Sequence, residues 1–272
     1  MDATSTNSND EEGIELGPII EGYCTNVDRE LAARLEGWPL DFAQLHVHEV
    51  VGGMLARQAT LAKDIAWSPA LWTGNSAPIL LRAMADVYIN IAWLILDPNE
   101  RCRKFILFGL GQAKLELEHR RAQIGTREPT QEEQAMLEFG ERWIDRQRIG
   151  WLLDVDLGKW SSLSVRQMAE EAGCIDFYNY VYAPFSACAH SMWHHVERYD
   201  LRECNNPLHR YHRRPISVGS EPDIFYLTLA AKYWSKTLRA FDKTKGLSFS
   251  EQPSYDTLID TINDGSVKSE QD

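Results

Sequence analysis

The sequence predicts an all-α fold, a single-domain irregular bundle of about seven helices, on three observations. Apolar residues recur at helical spacing over long stretches, as at Phe42, Leu45, Val50, Met54, Leu55 and Leu61. Helix-start signals recur as well. Thr130 with Glu133, and Ser164 with Gln167, each form a capping box, in which a hydroxyl and a carboxyl or amide three residues on satisfy free backbone donors. The alternating pattern of strands is nearly absent.

Taken in order, residues 1–20 carry no sustained apolar period and predict a mobile acidic arm ahead of a bundle at 21–242. Residues 28–36 suit a short helix stopped near Gly37 and Pro39. A longer helix covers 41–66, weakened at Gly52-Gly53 by about 1 kcal/mol per glycine relative to alanine. After a loop at 67–75, the most apolar helix runs from Ser76 to Leu96. Arg82, Asp86 and Asn90 inside it argue for a buried core helix rather than a membrane span. Asp97 and Pro98 restart the chain as a helix reaching Gly125. The Thr130 helix ends near Gly150, and residues 151–163, rich in tryptophan and leucine, suit a loop pressed on the core. A short helix follows Ser164. Another runs from Ile175 to about Tyr199, with Pro184 expected to kink or split it. Residues 200–220 read as a loop. Ser220 and Asp223 open a last helix ending near Asp242, and 243–272 read as a polar tail.

Net charge is −12, so the whole-molecule field does not draw in nucleic acid, although a local basic patch can. The five cysteines are scattered, with no Cys-x-x-Cys pair. That argues against a disulfide framework or a structural zinc site and suits a reducing cytosol. The expectation is a cytoplasmic chain without membrane contact, metal or cofactor.

Candidate chemistry gathers in YNYVYAPFSACAHSMWHHVE, residues 178–197. At a spacing of four this stretch presents Tyr178, Tyr182, Ser186, His190 and His194, which on a helix stack along one gently winding surface. An imidazole there serves as general acid, general base or phosphate donor near neutral pH. A structural hydrogen-bond network between helices is the competing reading. Arg82 and Asp86 share a face of the apolar helix, where a charge needs a partner. They form an ion pair, or Arg82 faces the stripe and binds an anion. A second patch, PLHRYHRR, places His209, Arg210, His212, Arg213 and Arg214 around a tyrosine with no acid among them. Cations interleaved with an aromatic suit RNA phosphates and bases. Glu116 and His119 give one Glu-x-x-His, where carboxylate-bridged metal bundles use two. Nine tryptophans and ten tyrosines could furnish a protein-partner face or a homodimer seam.

Arg82 and Asp86 within LLRAMADVYINIAWLIL, followed by Tyr178-x3-Tyr182-x3-Ser186-x3-His190, resemble a bacterial all-helical family catalogued only as a domain of unknown function. The resemblance covers roughly residues 40 to 200. The family pattern usually has Glu where this chain has Asp86. The resemblance implies that Arg82, Asp86, Tyr182, Ser186 and His190 form one site. It also implies an accessory or antiviral-defence role that leaves ribonuclease-like chemistry open. A looser likeness, to HEPN-type helical ribonucleases, rests on Arg202 and His209 alone. The leading expectation is a ribonuclease-like defence or toxin protein, and the alternatives are a helical adaptor or oligomeric scaffold and a metal-binding bundle.

Overall fold

The computed structural model describes residues 15–148, 161, 163–217, 219, 221–249 and 252–269. Most of the expected N-terminal arm, the 151–160 loop and Ser220 lie outside these residues. The fold is all-α: α1 (Leu16–Gly37), α2 (Leu45–Ala66), α3 (Ala77–Leu94), α4 (Pro98–Ile124), α5 (Gln131–Arg148) and α6 (Val165–Glu171) come first. Then α7 (Ile175–Phe177), a π-helical turn (Tyr178–Tyr182) and α8 (Ala183–Ala189) run on without a break, followed by α9 (Trp193–Asp200). Strands β1 (Leu201–Glu203) and β2 (Arg213–Pro215) form a small antiparallel hairpin within the stretch expected as loop. The chain closes with α10 (Phe225–Lys245) and α11 (Ser254–Ser269).

There are more helices than the expected seven, for identifiable reasons. α1 begins at Leu16 because Pro18 falls in its first turn, where a missing N–H costs nothing. Ile20, Tyr23, Cys24 and Val27 then make one buried stripe. The 175–199 helix is two helices: Ser191, at φ 48°, breaks it between Ala189 and Trp193. The stretch expected as a polar tail holds α11, which buries Leu258. Asp97 sits at the N-cap of α4 without a side-chain cap bond.

The chain divides into two compact units, one of Met1–Pro39, Leu55–Tyr88 and Asp176–Asp272, the other of Leu40–Met54 and Ile89–Ile175. The first is packed on Val27, Leu55, Leu81, Met84, Leu227, Trp234 and Phe241, all fully buried. Two polar groups lock that core. Buried Glu30 accepts from Trp234 Nε1 at 2.7 Å, Ser254 Oγ at 2.6 Å and Ser254 N at 3.1 Å, which ties α10 and α11 to α1. Gln58 donates to Met84 O at 3.2 Å and Thr237 Oγ1 at 2.9 Å. α10 ends at Gly246, whose φ of 65° is the left-handed cap that glycine adopts without strain.

In the second unit α4 and α5 lie so close that a Cβ on Gly140 would sit 2.6 Å from Leu117 Cδ2. Both expected capping boxes form: Thr130 N donates to Glu133 Oε2 at 2.9 Å, and Ser164 N to Gln167 Oε1 at 2.9 Å. The return bonds, Glu133 N to Thr130 Oγ1 and Gln167 N to Ser164 Oγ, complete them. α3 is long and apolar enough to cross a membrane, yet 67% of it is buried, as in a core helix.

Candidate functional site

The first unit holds every expected site residue. Arg82, one turn before Asp86 on α3, is the hub. Its Nε donates to Ser186 Oγ on α8 at 2.6 Å, and its Nη1 pairs with Asp86 Oδ2. Its guanidinium carbon lies 3.2 Å from the Tyr182 ring centroid. Ser186 in turn donates to Tyr182 O at 2.8 Å. Tyr182 stacks on Tyr178 at 4.9 Å.

Pro184 interrupts the regular α-helix, as expected, through a π-turn just before it. It has no N–H to give to a helical carbonyl, and the turn before it widens instead. Ala183 N–H reaches back five residues to Tyr178 O, the bond of a π-turn. Residues five apart therefore share a face. Phe177 packs edge-on to Tyr88 at 4.6 Å and to Tyr233 at 5.2 Å, while Tyr182 still meets Arg82.

Burial raises the Asp86 carboxyl above its ordinary value, and Arg82 opposes that rise. Burial and the Asp86 charge push the Tyr182 phenol up to about 12, so it stays protonated and acts as a donor. The arrangement is a clamp: two guanidinium donors and one of its faces are committed, and Asp86 offsets its charge. His190 lies outside the clamp. It is the exposed C-cap of α8, and among the described residues its side chain makes no hydrogen bond.

The break at Ser191 resets the helical phase, so His194 does not continue the Ser186 stripe. The anchored imidazole is His195, which the spacing of four passed over. His195 Nε2 lies 3.0 Å from Asn75 Oδ1, its ring lies 4.7 Å from Tyr199, and burial lowers its pKa. His194, His195 and Arg198 line one side of a cleft of about 720 Å³, with Lys232 and Lys236 of α10 and an aromatic wall that includes Phe177 and Tyr233. No sequence signal joins these residues, because they come from separate elements.

The expected nucleic-acid residues fall on the hairpin and are all exposed. Arg213 and Arg214 are in β2, and His209, Arg210 and His212 are in the loop before it. Arg213 pairs with Glu197 of α9. A groove of about 820 Å³ runs here, lined by Trp193, Asn206, His209, Arg210, Tyr211 and Arg213 among others. Arg202 is in β1 and His209 in the loop, so the Arg–His pair is not placed on a helix. The loop also brings together Cys204, His209 and His212, with one potential ligand atom of each within 4.8 Å of the others. No Cys-x-x-Cys pair marks this group; its sequence signal is Cys-x4-His-x2-His.

No curated protein and no solved structure matches the chain. A family of unknown function (DUF5677) matches residues 48–207, a span that includes α3, the Arg82 clamp and α9. With more than half its length matched, the chain belongs to this family.

Proposed function

We propose that the chain binds single-stranded RNA across the two faces of α9. The observation that carries this reading is the pairing of exposed aromatics with cations on both sides of that short helix. Trp193 and Tyr211 lie 69% and 92% exposed at the hairpin groove, beside Arg210 and Arg213. On the other side Tyr180 is 79% exposed, at the cleft that Arg198, Lys232 and Lys236 also line. Unstacked bases need flat apolar platforms and their phosphates need nearby cations, and each stacking side chain contributes about 1–3 kcal/mol. Local cations supply this in a chain of net charge −12.

Fluorescence anisotropy with a labelled oligouridylate at low salt tests the reading. Tyr211→Ala and Trp193→Ala should each weaken binding roughly 5- to 100-fold, and affinity should fall steeply with salt. No binding by the wild type at micromolar protein, or equal binding by both variants, would refute it. The same reaction run on a gel reads cleavage. RNA cut by the wild type and spared by His190→Ala supports a ribonuclease role; RNA bound but uncut restricts the protein to binding.

A second reading, assembly through the α4–α5 pair, has its own observation. Met136 and Phe139 are three apart on α5 and mostly exposed, in an apolar groove of about 630 Å³ with Leu117 and Trp143. Light scattering should show a dimer that Phe139→Glu dissociates. A wild-type monomer at micromolar concentration removes this reading.

A further inference from the structure

We infer that Cys204, His209 and His212 form a zinc site with one position left open. The hairpin builds it. The β1–β2 ladder ends with Glu203 paired to Arg213, and Cys204 and His212 are the next residues beyond it on the two arms. Cys204 N donates to His212 O at 3.0 Å, which sets these two residues side by side. The intervening loop folds back through two turns, His209 N to Asn206 O at 2.9 Å and His212 N to His209 O at 3.0 Å. That return carries the His209 ring over the Cys204–His212 pair. Cys204 Sγ and His209 Nδ1 face each other at 3.6 Å, and the two imidazoles are 5.5 Å apart, edge to face.

Zinc bond lengths of about 2.3 Å to sulfur and 2.0–2.1 Å to nitrogen make the S···N edge of a tetrahedron about 3.6 Å. The Cys204–His209 edge already has that length. The ligand atoms of all three residues lie within 4.8 Å, so a small rotation of the exposed His212 side chain closes the triangle. One thiolate and two imidazoles suit zinc among the common divalent ions. Binding forms one Zn–S and two Zn–N bonds, and the thiol proton leaves to solvent. With Nδ1 on zinc, the ring proton of His209 is on Nε2, so the 3.4 Å approach of Asn206 Nδ2 to that nitrogen must lengthen. Three protein ligands leave a fourth position for water or an anionic oxygen, as in zinc sites that do chemistry. Arg210 lines the same groove and favours the anion. Cys204 suits the role by access as well: the other four cysteines are buried.

The inference does not rest on RNA binding, and its test uses metal alone. The full chain, reduced and stripped of metal, is titrated with cobalt(II) and then zinc. One cobalt per chain should bind with the intense visible bands of a tetrahedral ion and a thiolate charge-transfer band, and zinc should displace it. Cys204→Ser should abolish the charge-transfer band, and His209→Gln and His212→Gln should each weaken zinc at least tenfold, with helical content unchanged by circular dichroism. A pale six-coordinate cobalt spectrum, a charge-transfer band that survives Cys204→Ser, or zinc binding unaffected by both histidine changes would overturn it. Metal bound without RNA affinity would refute the RNA reading and leave this one standing.

Discussion

Replacing Arg82 by Met keeps an apolar stem in place and removes the hub of the clamp. The lost interactions are a charge-assisted hydrogen bond to Ser186 and the guanidinium on the Tyr182 ring. The ion pair with Asp86, whose side chain is 41% exposed, goes too. Solvent screening holds that last contribution below about 1 kcal/mol. Ser186 keeps its bond to Tyr182 O, so no hydroxyl is orphaned. The expected loss at pH 7 is about 3 kcal/mol. The loss should depend on pH. The folded Asp86 carboxyl is raised by burial, so the stability linked to it is fully present below the unfolded value of about 4 and is lost as pH rises through the raised folded value. Arg82 opposes the rise, so Arg82→Met raises that value further, and an ionised Asp86 that has lost its cation adds to the deficit at neutral pH. At pH 4 the carboxyl, its folded value raised by burial, carries more of its proton than at pH 7, and the deficit should shrink to about 2 kcal/mol. Urea melts followed by tryptophan fluorescence at the two pH values measure both numbers. Adding Asp86→Asn to Arg82→Met should recover the pH-dependent part. A deficit under about 1 kcal/mol, or one that is constant or grows toward acid, would refute the reasoning.

Three other changes test the core. Glu30→Leu removes the acceptor for Trp234 and Ser254, and should cost about 3 kcal/mol and speed amide exchange across α11 before the rest of the chain. Gln58→Met should cost less than about 1 kcal/mol in thermal melts, because Gln58 Oε1 is already buried without a partner and its removal offsets the lost bonds. A Cβ on Gly74 would lie 2.2 Å from Tyr199 Cε1, so Gly74→Ala should cost about 1–3 kcal/mol, and much less in a Tyr199→Ala background.

What could be read ahead was whatever the chain states locally. Thr130 with Glu133 and Ser164 with Gln167 are complete statements within four residues, and both boxes form. Arg82 and Asp86 are likewise one turn apart, and an apolar setting for two charges announces a pair. Legibility failed where meaning depends on residues far away. Glu30 looks like an ordinary helix-surface acid until Trp234 and Ser254, more than two hundred positions on, close over it. His195 matters because Asn75 reaches it from 120 residues earlier. Spacing by four also assumes an unbroken helix, and Ser191 invalidates the count for His194.

Pro184 shows a local rule that locates an interruption without giving its form. A proline within a helix must leave a carbonyl without its partner, and a kink is the usual relief. Two aromatic anchors stand on either side of the site: Phe177 between Tyr88 and Tyr233, and Tyr182 against Arg82. In a regular α-helix, residues five apart point away from one another, and one anchor would be lost. A π-turn brings them onto one face while making room for the ring of Pro184. The extra residue in the turn therefore serves the tertiary contacts. The Tyr182–Ser186–Arg82 clamp is continuous with the core through it, and this ties the candidate site to the packing of α10 by way of Tyr233.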